Sequence, residues 1–199
     1  MRTILDPRKA DTAAVRATVA LVASISPADL DRPTPCAGWD LRALLAHMTA
    51  QHRGFAAAAV GRGAEEAVWR PDSQDPLARY AASAADVITA FAPDEVLDRP
   101  FRFPEFDQPV PGRTAIGFHL VDYVVHGWDV AAATGLPWEL PADVLEAALP
   151  IARAVPDGDE RRRPGAPFAP AVRTPADPTP MTEILTLLGR SPAWRQELS

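Results

Sequence analysis

One segment constrains the fold more than any other. It spans residues 112–135 and reads GRTAIGFHLVDYVVHGWDVAAATG. Each residue of an α-helix turns about 100°, so with His119 at zero Asp122 falls near 300°, His126 near 340° and Asp129 near 280°. Two imidazoles and two carboxylates therefore share an arc roughly 80° wide. Phe118, Val121, Val125 and Trp128 occupy adjacent angles, which leaves no clean solvent face. Four such polar groups cannot be buried without partners, so other elements must supply those partners. Gly135 is the natural residue to stop this helix.

The rest of the chain is punctuated by proline and glycine, and its apolar residues recur at helical spacing between the stops. The pattern predicts helices over 11–25, 40–60, 75–91, 114–134, 142–155 and 182–188. Asp40 is a natural N-cap, and Pro76 stands at a first helical position, where its missing N–H costs little. Prolines at 100, 104, 109 and 111 exclude a regular helix over 99–112. That stretch is expected to be an extended loop, with a short hairpin at most, lying across the bundle. Residues 156–180 are rich in Pro, Arg and Asp and are expected to lack regular structure, wrapping the bundle through Phe168 and Val172. There is no βαβ alternation and no internal repeat. The expectation is an all-α protein: an antiparallel four-helix bundle with an additional C-terminal helix and a Pro-rich tail. It is read as a single domain over 1–199, with the core bundle at about 11–155 and a wrapping tail with a short helix at 156–199.

Composition excludes several classes of function. Hydrophobic residues make up 47% of 199, enough for a real core. The net charge of −6 argues against a nucleic-acid partner. Cys36 is the sole cysteine, so no intrachain disulfide forms. The polar N-terminus does not read as a secretory signal, and no apolar run approaches the roughly 20 residues of a membrane span. A cytoplasmic protein is expected, as a monomer or a homodimer.

Asp122 and His126 stand four apart, which puts a carboxylate and an imidazole one turn apart, where they can share a small cation. Asp129, three residues beyond His126, could accept the imidazole's second N–H and fix its tautomer. A third ligand must come from another helix. His47 is the best candidate, because Leu44, Leu45 and Met48 place it on or beside the core-facing side of the second helix. His52 lies about 140° away from it and should point elsewhere. Three default readings accompany these: Cys36 as a buried, inert thiol, Trp39 and Trp128 as core anchors, and Arg161 to Arg163 as a solvated charge run.

TPCAGWDLRALLAH, residues 34–47, together with GFHLVDYVVHGWDVAAATG, residues 117–135, resembles the metal-binding domain of the mycothiol-dependent maleylpyruvate isomerase family, within the wider DinB/YfiT-like group. LLGRSPAW, residues 187–194, is similar to the close of the small stand-alone actinobacterial members. The resemblance spans about 13–194. It implies a four-helix bundle with one divalent metal at one end, zinc or a nickel-like ion, held by His47, Asp122 and His126. Asp129 carries over as the continuation of the motif. The isomerase has glutamate where Asp122 stands, so the shorter arm draws the metal toward the helix or leaves room for a water. The isomerase also has a second, C-terminal domain, for which the segment after Gly135 reads as too short and too Pro-rich.

Three protein ligands leave a position open, the pattern of a catalytic metal. The resemblance implies that such a site activates a low-molecular-weight thiol of the mycothiol type, and water is the other nucleophile. The expected function is then a metal-dependent, isomerase- or S-transferase-like enzyme acting on a small electrophilic substrate, with His119 or Asp129 as the proton-transfer partner. The rival expectation is a non-catalytic, metal-stabilised module that binds a small molecule or a protein.

Overall fold

A computed structural model describes residues 6–163 and 166–194 of the chain. It is helical, as the spacing predicts. The helices are α1 (Arg8–Val22), α2 (Leu41–Ala59), α3 (Pro76–Phe91), α4 (Gly112–Thr134), α5 (Ala142–Ala154) and α6 (Pro180–Leu187). The sheet among the described residues is one short ladder, β1 (Pro100–Phe101) antiparallel to β2 (Val110–Pro111), with Phe101 opposite Val110. It is the hairpin that the proline-broken stretch allows.

The helix ends follow local chemistry. Asp40 Oδ1 accepts the Ala43 N–H at 2.8 Å, and Asp75 Oδ1 accepts that of Ala78 at 3.2 Å. Gly135 closes α4 at φ +73°, a left-handed conformation that disfavours any residue with a side chain. The first helix differs from expectation. It begins at Arg8, because Pro7 has a helical φ and its carbonyl accepts the Asp11 N–H at 2.8 Å. It ends at Val22, yet Ile25 still reaches the core.

Helices α1 to α4 form the bundle, with α2 against α3 and α1 against α4 as the major contacts, and α5 packs on α4 and α6. Two apolar clusters fill the interior. The larger holds Leu41, Leu44, Leu45 and Met48 of α2, Leu120 and Val124 of α4, and Ile184 and Leu188 from the C-terminal part. The smaller lies beneath the hairpin and holds Phe55, Phe91, Phe101, Phe103 and Ile116. Each such side chain stabilises the fold by about 1.5–3 kcal/mol on burial.

Two expectations for the C-terminal segment are corrected. Residues 159–162 form a 3-10 turn, and Arg161 at its heart is buried. Its guanidinium donates to the carbonyls of Val155, Pro156, Ala169 and Leu187 at 2.6 to 3.2 Å. Four carbonyls around one planar cation replace the water that a solvated charge run would need. Only Arg162 and Arg163 are exposed as expected. Phe168 packs against the core, but Val172 stays 38% exposed and is tied by its backbone N–H to Thr186 O at 2.9 Å. Residues 164, 165 and 195–199 of the expected tail lie outside the described residues. No helix among those described is long and apolar enough to cross a membrane.

Candidate metal site

α2 and α4 run antiparallel: His47 near the start of α2 meets His126, while Phe55 further along α2 meets the earlier His119 of α4. Donor atoms of His47, Asp122 and His126 all lie within 4.8 Å of one another, a slightly wider bound than the ~4 Å expected for ligands of one small ion. His126 Nε2 is 3.3 Å from Asp122 Oδ1, and the rings of His47 and His126 stand edge to face at 5.2 Å. The Trp39 indole lies 4.7 Å from the His47 ring and 6.4 Å from that of His126, and so walls one side. The Asp122 side chain keeps 19% of its surface exposed. Beside His126, Gly127 makes room for the Trp138 ring, which a Cβ there would meet at 2.2 Å.

Behind His126 the site continues inward. His126 Nδ1 lies 3.0 Å from Asp129 Oδ2, the contact that the i, i+3 spacing predicts. The same oxygen accepts from Arg190 Nη2 at 3.0 Å, and the other receives Arg190 Nε at 3.4 Å. Arg190 also donates to Cys36 Sγ at 3.4 Å and has the Phe168 ring 6.0 Å from its guanidinium carbon. Cys36 Sγ, His126 and Asp129 offer a second group of donors within 4.8 Å, which shares His126 with the first. Sequence reasoning missed Arg190 as a member of the site. The LLGR motif was visible, but nothing local ties it to a carboxylate 61 positions earlier.

Charge and burial set the protonation states. Burial, with the nearby His126 charge, pushes the His47 imidazole down to about 4, so one of its ring nitrogens offers a free lone pair at neutral pH. Burial also opposes the charge on His126. Asp122 and Asp129 outweigh it and raise that imidazole to about 9. Burial opposes ionisation of Asp122, but His126, His47 and His119 hold its carboxyl well below the usual range. Burial pushes the Cys36 thiol up to about 11 against the pull of Arg190, in keeping with an inert thiol. In the metal-free state the His126 imidazolium thus sits between two carboxylates, one at each ring nitrogen, where a cation is favoured.

His119 is not part of this cluster. It shares the angular arc of His126, but seven residues separate the two, about 10 Å along the helix axis. Its ring is fully buried, with Nδ1 2.6 Å from Asp11 Oδ1 and Nε2 3.3 Å from His52 Nδ1. His52 pairs with His119 and is not one of the converging donors, as expected. It stacks on Tyr123 at 4.2 Å, and burial holds it well below its ordinary value of 6.5.

The donor set fits a divalent ion. Two imidazoles and one carboxylate converge, and the second nitrogen of His126 is anchored on a carboxylate. Two surface hollows of about 310 Å³, lined by Trp138 and Glu139 among others, lie away from these donors.

Comparison with known proteins gives the same region its kinship. Residues 12–131 match the family described as the mycothiol maleylpyruvate isomerase N-terminal domain. Two uncharacterized proteins of Mycobacterium tuberculosis, MT0763 and Rv0738, are each 33% identical over 188 residues, 94% of this chain and 99% of theirs. A crystal structure of the mycothiol-dependent maleylpyruvate isomerase aligns at a TM-score of 0.54 and 15% identity, over 84% of this chain and 81% of that one. A single-residue mutant of the same isomerase aligns at 0.57 and 13%, with the same coverage. At that identity the likeness concerns the fold. Its 84% share is more of the chain than residues 1–135 supply, so part of the segment after Gly135 has a counterpart in that fold. With a family match across most of the bundle and relatives matched nearly end to end, the chain belongs to the mycothiol maleylpyruvate isomerase N-terminal domain family.

Proposed function

We propose that this chain is a divalent-metal enzyme. His47, Asp122 and His126 hold the ion, zinc by preference, and a low-molecular-weight thiol of the mycothiol kind, or water, attacks a small electrophilic substrate. The observation that carries the reading is the approach of three donors from two helices to within 4.8 Å, around a histidine already anchored by Asp129. Two imidazoles and a carboxylate suit zinc, with nickel next, and three protein donors leave a coordination position open. The thiol enters through kinship, since the family's description names mycothiol. When bound, the ion would lower the pKa of a thiol or water that reaches the open position.

The chain's own residues do the rest. Asp129 takes the His126 Nδ1–H and turns the Nε2 lone pair toward the ion. Arg190 balances Asp129, which keeps that carboxylate an anchor and not a proton acceptor. Trp39 excludes water from one side, and the exposed edge of Asp122 is where a substrate arrives. The proton-transfer roles expected of His119 and Asp129 do not suit their burial, because both side chains are fully enclosed and already engaged. The nucleophile's proton is released to solvent at the open edge.

The test is metal analysis of the purified protein, followed by cobalt substitution and titration with mycothiol. A thiolate-to-metal charge-transfer band supports the reading. Bound metal with no such band and no metal-dependent turnover supports the non-catalytic module.

A further inference from the structure

A line of buried polar side chains runs inward from the metal site toward α1. Asp11 Oδ1 lies 2.6 Å from His119 Nδ1, and His119 Nε2 lies 3.3 Å from His52 Nδ1. All three residues are wholly excluded from solvent. Phe55, Phe91 and Tyr123 pack their rings 4.3 to 5.3 Å from that of His119. In hydrogen-bonding terms the line is open at both ends, and at the α1 end Asp11 Oδ2 is buried with no partner among the described residues. His52 Nε2, Asp122 Oδ2 and Thr49 Oγ1 are buried atoms with no partner among the described residues. Thr49 and His52 stand i, i+3 on α2 and so neighbour each other. Asp122 stands three residues beyond His119 on α4, on the same face, and His119 is the residue that His52 meets at 3.3 Å.

The polarity of the line can be worked out from its fixed end. A carboxylate accepts, so His119 donates through Nδ1 and its Nε2 accepts. His52 then donates through Nδ1, which leaves Nε2 as an acceptor. Asp122 Oδ2 is an acceptor too. Two acceptors cannot bond to each other, but one water donates to both. It also accepts from the Thr49 hydroxyl, which completes about three hydrogen bonds, the usual number for an internal water. Without such a partner each buried polar atom keeps its full desolvation cost.

We propose that Thr49, His52 and Asp122 enclose an internal water site, and that the line Asp11–His119–His52 orients this water so that Asp122 meets the metal through Oδ1 alone. His52, His119 and Asp11 are thus positioning residues, acting on a metal ligand they do not touch. The proposal rests on the assignment of Asp122 as a ligand. It also explains why three polar groups persist in an otherwise aromatic layer.

Three measurements test it. In protein labelled with 15N-histidine and free of metal, long-range 1H–15N spectra should show the Nδ1–H tautomer for both His52 and His119. An Nε2–H tautomer or an imidazolium at His52 overturns the proposal, since a donor there needs no water. A high-resolution crystal structure should show one ordered water bonded to His52 Nε2 and Asp122 Oδ2, and its absence overturns the proposal. His52→Phe, which keeps the stack on Tyr123, should weaken metal binding by about 10–100-fold, while His52→Gln, which keeps an acceptor, should recover most of the loss. Unchanged affinity in a folded His52→Phe protein, judged by circular dichroism, overturns it, as does an equal loss in both variants. If the wild-type protein binds no metal, the reading of the site fails, while the tautomers and the water still report on the inner line.

Discussion

Arg190 and Asp129 form a buried ion pair at 3.0 Å, with 5% and 0% of their side-chain surfaces exposed. The pair joins the C-terminal part of the chain to the helix that carries two of the three candidate ligands. Through it, the segment following α6 holds the carboxylate that in turn holds His126.

Removing one member should therefore be costly. Arg190→Leu leaves Asp129 buried without its cation and should destabilise the protein by about 3–5 kcal/mol. Arg162→Ala, at an exposed pair, should change stability by about 0.5 kcal/mol or less. Chemical denaturation of the two variants beside the wild type checks both values.

The metal-free protein should be most stable near pH 6.5. His126 is raised to about 9, so its contribution is fully present below the unfolded value of 6.5 and is lost as pH rises toward 9. His47 is depressed to about 4, so its contribution is present above 6.5 and is lost as pH falls toward 4, and the lowered His52 acts in the same direction. Denaturation midpoints across this range should trace a dome. Saturating zinc should flatten its alkaline limb, because the ion takes the place of the His126 proton.

Gly127→Ala should destabilise the fold by about 1–3 kcal/mol, the usual cost of overpacking, because the new Cβ meets the Trp138 ring at 2.2 Å. Thermal unfolding followed by tryptophan fluorescence measures it. A variant as stable as the wild type would mean that Trp138 does not pack there.

Much of the fold was legible because its signals are local. Asp40, Pro76 and Gly135 fix helix ends through groups within a few residues, and the apolar spacing fixes the faces between them. The convergence of His47, Asp122 and His126 was legible in outline from one i, i+4 pair and one core-side histidine. What failed was height along the axis. Rotation places His119 on the same arc as His126, but two turns lower it belongs to Asp11 and His52. Arg190, Cys36 and Arg161 were illegible for another reason. Their partners lie far away in sequence or are backbone carbonyls, so no spacing rule reaches them. Arginine in a Pro-rich stretch reads as solvated until the chain folds back around it.

The central claim is that His47, Asp122 and His126 bind one divalent ion, and elemental analysis of purified wild-type and His126→Ala proteins tests it most directly. One equivalent of metal per chain is expected in the wild type and almost none in the variant, because two remaining ligands rarely hold a divalent ion tightly. His52→Gln should keep its metal under the same conditions. A full complement of metal in His126→Ala, or none in the wild type after zinc loading, would contradict the account.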